Sequence, residues 1–451
     1  MFHRSLVVCL VAGASVHATE PSISFEKYQL PNGLTVILSE DHRLPQVAVD
    51  IWYHVGASRQ SPGKSGFAHL FEHMMFSGAK HIGPEPFRIL ESIGTVAGSM
   101  ANGTTGFDRT NYFETVAANE LPTALWLESD RMGFLLETLD PKKLDIQKDV
   151  VSNERRQSIE NVPYAMAELR TCDLLYPLPH PYFDCQIGTI HDIQSATVEE
   201  LRSFFRQFYG PNNASLALVG AFDRNQIKPL IEKYFGPIPR GPEVGPPSLP
   251  QPKLTSVVRE QVDDKVAELP AVTLAWNGVK PFDPDEPAGD VLATILGSGR
   301  TSRLYHELVF RKQVAESVQA NNSALELGGY FSAFAVAKVG HTSEELLSEI
   351  DRVLGEIRNN GVTSSEVERA KRKILAEKWR NLERIGGFGG KADLLNEYQT
   401  FVGDPGYLGR DIARYRAVTA QAVQEFAQRF LPVDRRLILE TVPPKKMASV
   451  Q

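Results

Sequence analysis

The sequence predicts an α+β fold of two structurally similar domains, each a mostly antiparallel sheet with helices packed on one face, joined by a Pro-rich linker. Three observations carry this. A Pro/Gly-dense stretch runs from Gly236-Pro237 through Pro246-Pro247 to Pro250 and Pro252 and divides the chain into two parts of ordinary domain length. Within each part, short β-branched runs alternate with longer stretches of helical pattern. The order of these elements then repeats from one part to the other.

The first element is not fold. Arg4 precedes the uncharged apolar run Leu6 to Val16, and Val16-His17-Ala18 places small residues where a signal peptidase reads them. This predicts a signal peptide over residues 1–18, cleaved after Ala18, and export to the periplasm or the exterior. The run is shorter than the ~20 apolar residues a membrane helix needs, and no later stretch reaches that length, so no membrane span is expected.

The N-terminal domain is read over 19–236. Leu34 to Leu38 and Val47 to Tyr53 read as strands, 65–76 as a helix, Thr110 to Val116 as a strand, 141–160 as a long charged helix and Ser215 to Gly220 as a closing strand. Proline's locked φ and missing N–H leave 237–254 as an extended, stiff linker. The C-terminal domain, 255–445, repeats the series. Val272 to Trp276 reads as a strand, 286–296 as a helix, Gly329 to Lys338 as a strand, 363–384 as a charged helix and Arg436 to Thr441 as a strand. Thr363-Ser-Ser-Glu366 supplies a capping box for the charged helix.

Composition bounds the function. The chain is 42% hydrophobic and 23% charged, enough to build a real core. Its net charge is −7, with no Lys/Arg block, so no nucleic-acid partner is expected. Cys9 falls in the leader. Cys172 and Cys185 either pair in an oxidising compartment or stay separate thiols, and lacking a second pair they do not make a structural zinc site.

The chemistry lies in His69-Leu70-Phe71-Glu72-His73. Histidines four apart on a helix share one face and can hold a borderline-soft ion such as zinc. Glu72 then lies beside the metal without having to bind it, where a base for an activated water belongs. This H-x-x-E-H order is the inverse of the commoner zinc-peptidase motif. Such a site needs a third protein ligand. In Asp149-Val-Val-Ser-Asn-Glu154 the carboxylate of Glu154, taken alone, reads as a solvated helix residue.

Several segments together change that reading. Ser65-Gly-Phe-Ala-His-Leu-Phe-Glu-His-Met-Met-Phe76 resembles the signature of the pitrilysin/insulinase family of inverted-zincin metallopeptidases. Ala101-Asn-Gly-Thr-Thr-Gly-Phe-Asp-Arg-Thr-Asn-Tyr112, Asp149 to Glu154, Tyr209-Gly-Pro-Asn-Asn-Ala-Ser and Leu296-Gly-Ser-Gly-Arg-Thr-Ser-Arg-Leu304 resemble further family segments, in the family's order. The match is closest to the short-chain branch, similar to mitochondrial processing peptidase subunits, and suggests the zinc-bearing subunit of a bacterial periplasmic pair.

The resemblance implies a zinc metalloendopeptidase with one zinc per chain held by His69, His73 and Glu154, and Glu72 as catalytic base. It implies an extended peptide substrate added beside an edge strand, Gly98 to Thr105, with Asn102 as a substrate contact, although Asn-Gly equally favours a turn. It also implies two chains closing around a chamber.

Two departures stand out. Gln147 replaces a second carboxylate that many members carry seven residues before the third ligand, which affects tuning more than binding. The Arg and Tyr that self-sufficient members use in the second half fall here at Val309 and Glu316, with Arg311 out of register. An incomplete set suggests a heterodimer with a related chain supplying the Arg/Tyr pair, with a homodimer second. A catalytically weak or inactive assembly or peptide-binding subunit is the rival reading, and the presence of all four site residues argues against it. The loop Gly386-Gly-Phe-Gly-Gly390 reads as a close-approach or hinge element or as plain flexible loop, the latter favoured; it lacks the pattern of a phosphate loop.

Overall fold

A computed structural model describes residues 21–444 apart from 248 and 250. The leader read over 1–18 lies outside the described residues. Those residues form two sheets. The first contains β1 (Glu26–Gln29), β2 (Thr35–Glu40), β3 (Gln46–Tyr53), β4 (Ala101–Thr105), β5 (Thr110–Ala117) and β6 (Ala214–Gly220), in the order β1-β2-β6-β3-β5-β4. The second contains β7 (Val258–Asp263), β8 (Ala271–Asn277), β9 (Ala315–Ser323), β10 (Tyr330–Ala337) and β11 (Leu437–Val442), in the order β7-β11-β8-β10-β9.

Apart from the extra β1, the orders are the same. β2-β6-β3-β5-β4 maps onto β7-β11-β8-β10-β9. Each sheet has one parallel pair, β2 with β6 and β7 with β11, and its other pairs are antiparallel. The α+β class and the two similar halves read from the sequence are the observed architecture. The described part of 237–254 contains no helix or strand.

One face of each sheet carries its own half's helices. On the first, Leu70, Phe71, Leu125, Leu201 and Ile231 pack against Val36, Val49, Ile51 and Leu218. On the second, Leu292, Leu296, Ile350, Leu354 and Phe426 pack against Leu274, Trp276 and Phe331. The capping box is formed, with Thr363 and Glu366 each bonding the other's backbone N–H. No helix among the described residues is long and apolar enough to cross a membrane.

The other face of each sheet is covered by a helix from the opposite half. The helix Lys391–Val402 lays Ala392 and Leu395 on Ile37, Ala48, Ala217 and Val219 of the first sheet. The helix Ala165–Leu175 lays Leu169, Cys172 and Leu175 against Ala275 and Leu437 of the second. This exchange explains why β6 is buried at every position: a strand covered on both faces reads as a continuous apolar run, not an alternating one.

The Gly386–Gly390 loop leads into the first of these helices, and it is not loose. A Cβ on Gly386 would stand 2.5 Å from Ala48 Cβ and 2.7 Å from Thr115 Oγ1. Phe388 packs edge-on against Phe113, with centroids 4.9 Å apart. The close-approach reading of the loop therefore holds over the flexible one. Cys172 and Cys185 form a disulfide.

Candidate metal centre

The motif occupies the helix Phe67–Met75. Gly66 caps its N-terminus at a left-handed φ of 79°, which only glycine adopts freely. Phe67, Leu70, Phe71, Met74 and Met75 turn into the core, which leaves His69 and His73 on the face toward the neighbouring helix Pro141–Arg155. That helix starts on Asp140, whose side chain accepts from Lys143 N–H, and carries Glu154 in its last turn.

The two helices bring three donors together. His73 Nε2 lies 3.1 Å from Glu154 Oε2, and His69 Nε2 lies 3.6 Å from Glu154 Oε1. The imidazole planes are nearly perpendicular, 89° apart, with centroids at 4.8 Å. One donor atom from each residue falls within 4.8 Å of the others. Two ligands at tetrahedral zinc distances are about 3.3–3.6 Å apart; the His69–Glu154 spacing of 3.6 Å lies in that range, and the His73–Glu154 spacing of 3.1 Å is slightly shorter.

The electrostatics suit zinc. Burial, aided by the neighbouring His73, pushes His69 down to about 4, so its ring is neutral and free to donate a lone pair. The hydrogen bond to His73 holds the Glu154 carboxyl below its usual range. His69 Nδ1 is buried and finds no hydrogen-bond partner among the described residues.

Glu72 is buried beside these donors, and burial raises its carboxyl above the usual range against the Thr105 hydroxyl and the charge of His73. β4 passes directly over it. Gly103, Thr104 and Thr105 line a cavity of about 410 Å³ together with His69, Glu72 and Glu154. β4 is an edge strand over Ala101–Thr105, so the edge read over Gly98 to Thr105 starts three residues later than expected, 98–100 being a turn. Asn102 sits on this strand with its Oδ1 accepting from Gly103 N–H at 2.9 Å, and it is not among the residues lining the cavity.

Gly103 and Thr105 were not singled out from the sequence, because their proximity to Glu72 arises from how a strand crosses a helix. Gln147 lies on the Glu154 helix, half-buried. In the second half, Val309 packs against the core, and Glu316 is exposed on β9. Arg311 is committed to Glu307, which its Nε reaches at 3.0 Å. The helix Glu286–Gly297, which occupies the place of the motif helix, contains no histidine.

Comparison with known proteins identifies the family. Residues 35–174 match the family model described as insulinase (peptidase family M16), and residues 195–374 match the one described as the peptidase M16 inactive domain. A zinc protease, PqqE, of Helicobacter pylori is 29% identical over 382 residues, covering 84% of this chain and 85% of that protein. A probable mitochondrial-processing peptidase subunit beta of Arabidopsis thaliana is 24% identical over 440 residues, covering 92% and 77%. The crystal structure of a protease from Helicobacter pylori superposes with a TM-score of 0.85 at 26% identity, covering 93% of this chain and all of that one.

Proposed function

The chain belongs to the insulinase family of peptidases, M16, and from that premise we propose that it is a zinc-dependent endopeptidase acting on extended peptides. The observation that carries this is the convergence of His69, His73 and Glu154 on one point, with Glu72 buried beside them under an open sheet edge.

His69, His73 and Glu154 would hold one zinc ion. When bound, zinc supplies an acidified water and a polarised scissile carbonyl. Glu72, desolvated and one residue from a ligand, takes the water's proton and returns it to the leaving amine. A peptide lies along β4 as an added strand, so main-chain hydrogen bonds hold it with little demand on sequence. The family resemblance assigns Asn102, next to Gly103 on that edge, as a contact to the peptide, although its side chain does not line the cavity.

The active unit is a pair of chains closed around a chamber. By the family resemblance, Val309 and Glu316 align with the Arg and the Tyr that act on substrate in self-sufficient members, and Arg311 is engaged by Glu307. A related chain carrying that pair completes the site. The similarity to a protein named as a subunit supports this division. Residues 1–18 direct export to the periplasm or the exterior, where a disulfide is at home.

Metal analysis and a fluorogenic peptide assay test the reading together. Glu72→Gln keeps a full complement of zinc and loses turnover by about 10²- to 10⁴-fold. Wild-type turnover in that variant, or a wild-type chain without zinc, sinks it.

A further inference from the structure

Of the three donors, Glu154 is the most exposed: its side chain is 43% accessible, against 11% for His69 and 20% for His73. It also lies where regular helix ends, since the chain passes into a π-turn at Arg156–Glu160. Packing of Glu154 itself therefore does little to hold its carboxylate in place.

Its neighbour Arg155 is held firmly. This guanidinium is buried and forks onto Asp184, Nη1 to Oδ2 at 2.8 Å and Nη2 to Oδ1 at 3.1 Å, while Nη1 also donates to the carbonyl of Gly188 at 2.6 Å. A planar fork matched to a carboxylate fixes direction as well as distance. The segment it grips is not shaped by local preference. Asp184 and Cys185 both sit in the left-handed region, with φ of 60° and 53°. Cys185 is tied by its disulfide to Cys172, in the helix that packs on the second sheet.

The same segment reaches the other ligand helix. A Cβ on Gly188 would stand 2.3 Å from the Cα of Gly66, the residue that caps the motif helix. Thr189 N–H donates to Ser65 Oγ at 2.9 Å. One short stretch, Asp184 to Thr189, thus touches the ends of both helices that carry donors.

We propose that this stretch is a bracket for the metal site: Arg155, gripped by Asp184 and locked by the Cys172–Cys185 disulfide, positions Glu154 to bind zinc. Arg155 and Asp184 are positioning residues and touch neither metal nor substrate. The inference rests on the zinc reading of the preceding subsection.

The test uses the full mature chain, titrated with Zn²⁺ against a chromophoric chelator and with Co²⁺ followed by visible absorption. Asp184→Asn keeps the shape but removes the charge facing Arg155. Arg155→Lys keeps the charge but not the fork. Cys172→Ala with Cys185→Ala removes the lock. Each is expected to bind zinc about 10- to 100-fold more weakly and to shift the Co²⁺ absorption band, with unchanged circular dichroism. Wild-type affinity and an unshifted band in these variants overturn the proposal, as does weaker binding with an unshifted band, which reports general destabilisation. If the double-cysteine variant does not fold, Asp184→Asn and Arg155→Lys decide. His73→Ala is the control for the zinc reading itself: wild type binding no better than His73→Ala defeats that reading, an outcome distinct from failure of the bracket.

Discussion

Gly103 on the edge strand is pressed against Glu72: a methyl group on Gly103 would stand 3.1 Å from Glu72 Cγ and 2.9 Å from Phe76 Cε2. Those distances are too short for a carbon to fit without movement. Gly103→Ala should therefore displace the base while leaving the three donors alone. The expected result is a fall in kcat/KM of about 10- to 100-fold with full zinc content, read by peptide assay and metal analysis. Loss of zinc in parallel with activity would contradict it.

The halves should unfold together, because each covers the other's sheet. Asn396, fully buried on the helix Lys391–Val402, accepts from Ser215 Oγ at 2.7 Å and donates to the Asp50 carbonyl at 2.9 Å, both on the first sheet. Asn396→Ala leaves a buried hydroxyl and carbonyl without that partner, at a cost of about 2–4 kcal/mol. Urea melts followed by circular dichroism and by tryptophan fluorescence should shift together as one transition. Separate transitions for the two probes would show that the exchanged helices do not couple the halves.

How far the sequence reaches is clear from these two residues and the motif. His69, Glu72 and His73 lie within one helical turn, so spacing alone places them together. The strands that alternate or run apolar were readable for the same reason. Glu154 lies in another helix, and no spacing rule links it to His69; only the ordered resemblance did so. Gly103 against Glu72, and Arg155 against Asp184, are tertiary contacts between segments with no shared period. The helix Lys391–Val402 covers a sheet formed by the other half, which a repeat of element order does not disclose. Gly386 read as loose because glycine's freedom is visible in sequence, whereas the Ala48 and Thr115 surface that demands its small size is not.

A buried carboxyl between the halves makes stability depend on pH. Asp108 accepts from the Tyr182 hydroxyl and from Glu326 N–H at 2.9 Å, and burial raises it to about 6. In the unfolded chain it titrates near ~3.9. Between those values the folded state holds more protons than the unfolded one, so stability is greatest below the window and falls as pH rises through it. From pH 5 to pH 7 this group removes about 1 kcal/mol. Asp108→Asn removes that slope, while the neighbouring His54–Glu326 contact, 2.8 Å long, is kept in both proteins. Denaturation at the two pH values should show wild type losing about 1 kcal/mol more than the variant; equal slopes refute the assignment.

The last prediction concerns the proposed contribution of a second chain to the site. His69, His73, Glu154 and Glu72 lie together in the first half, yet the equivalent helix of the second half has no histidine, and Val309 and Glu316 are neither a cation nor a phenol. Oxyanion and clamp donors that act only in the transition state raise turnover more than binding, and losing one commonly costs about 10²–10³ in kcat. The isolated chain should therefore hold zinc and bind peptide, but turn over about 100-fold slower than the same chain mixed with a related chain that carries the Arg and Tyr. Stimulation should appear in kcat and saturate at one partner per chain. It should vanish when the added chain has both residues replaced by alanine, and persist when that chain carries no metal motif. Full turnover by the isolated monomer would show that residues of this chain complete the site unaided.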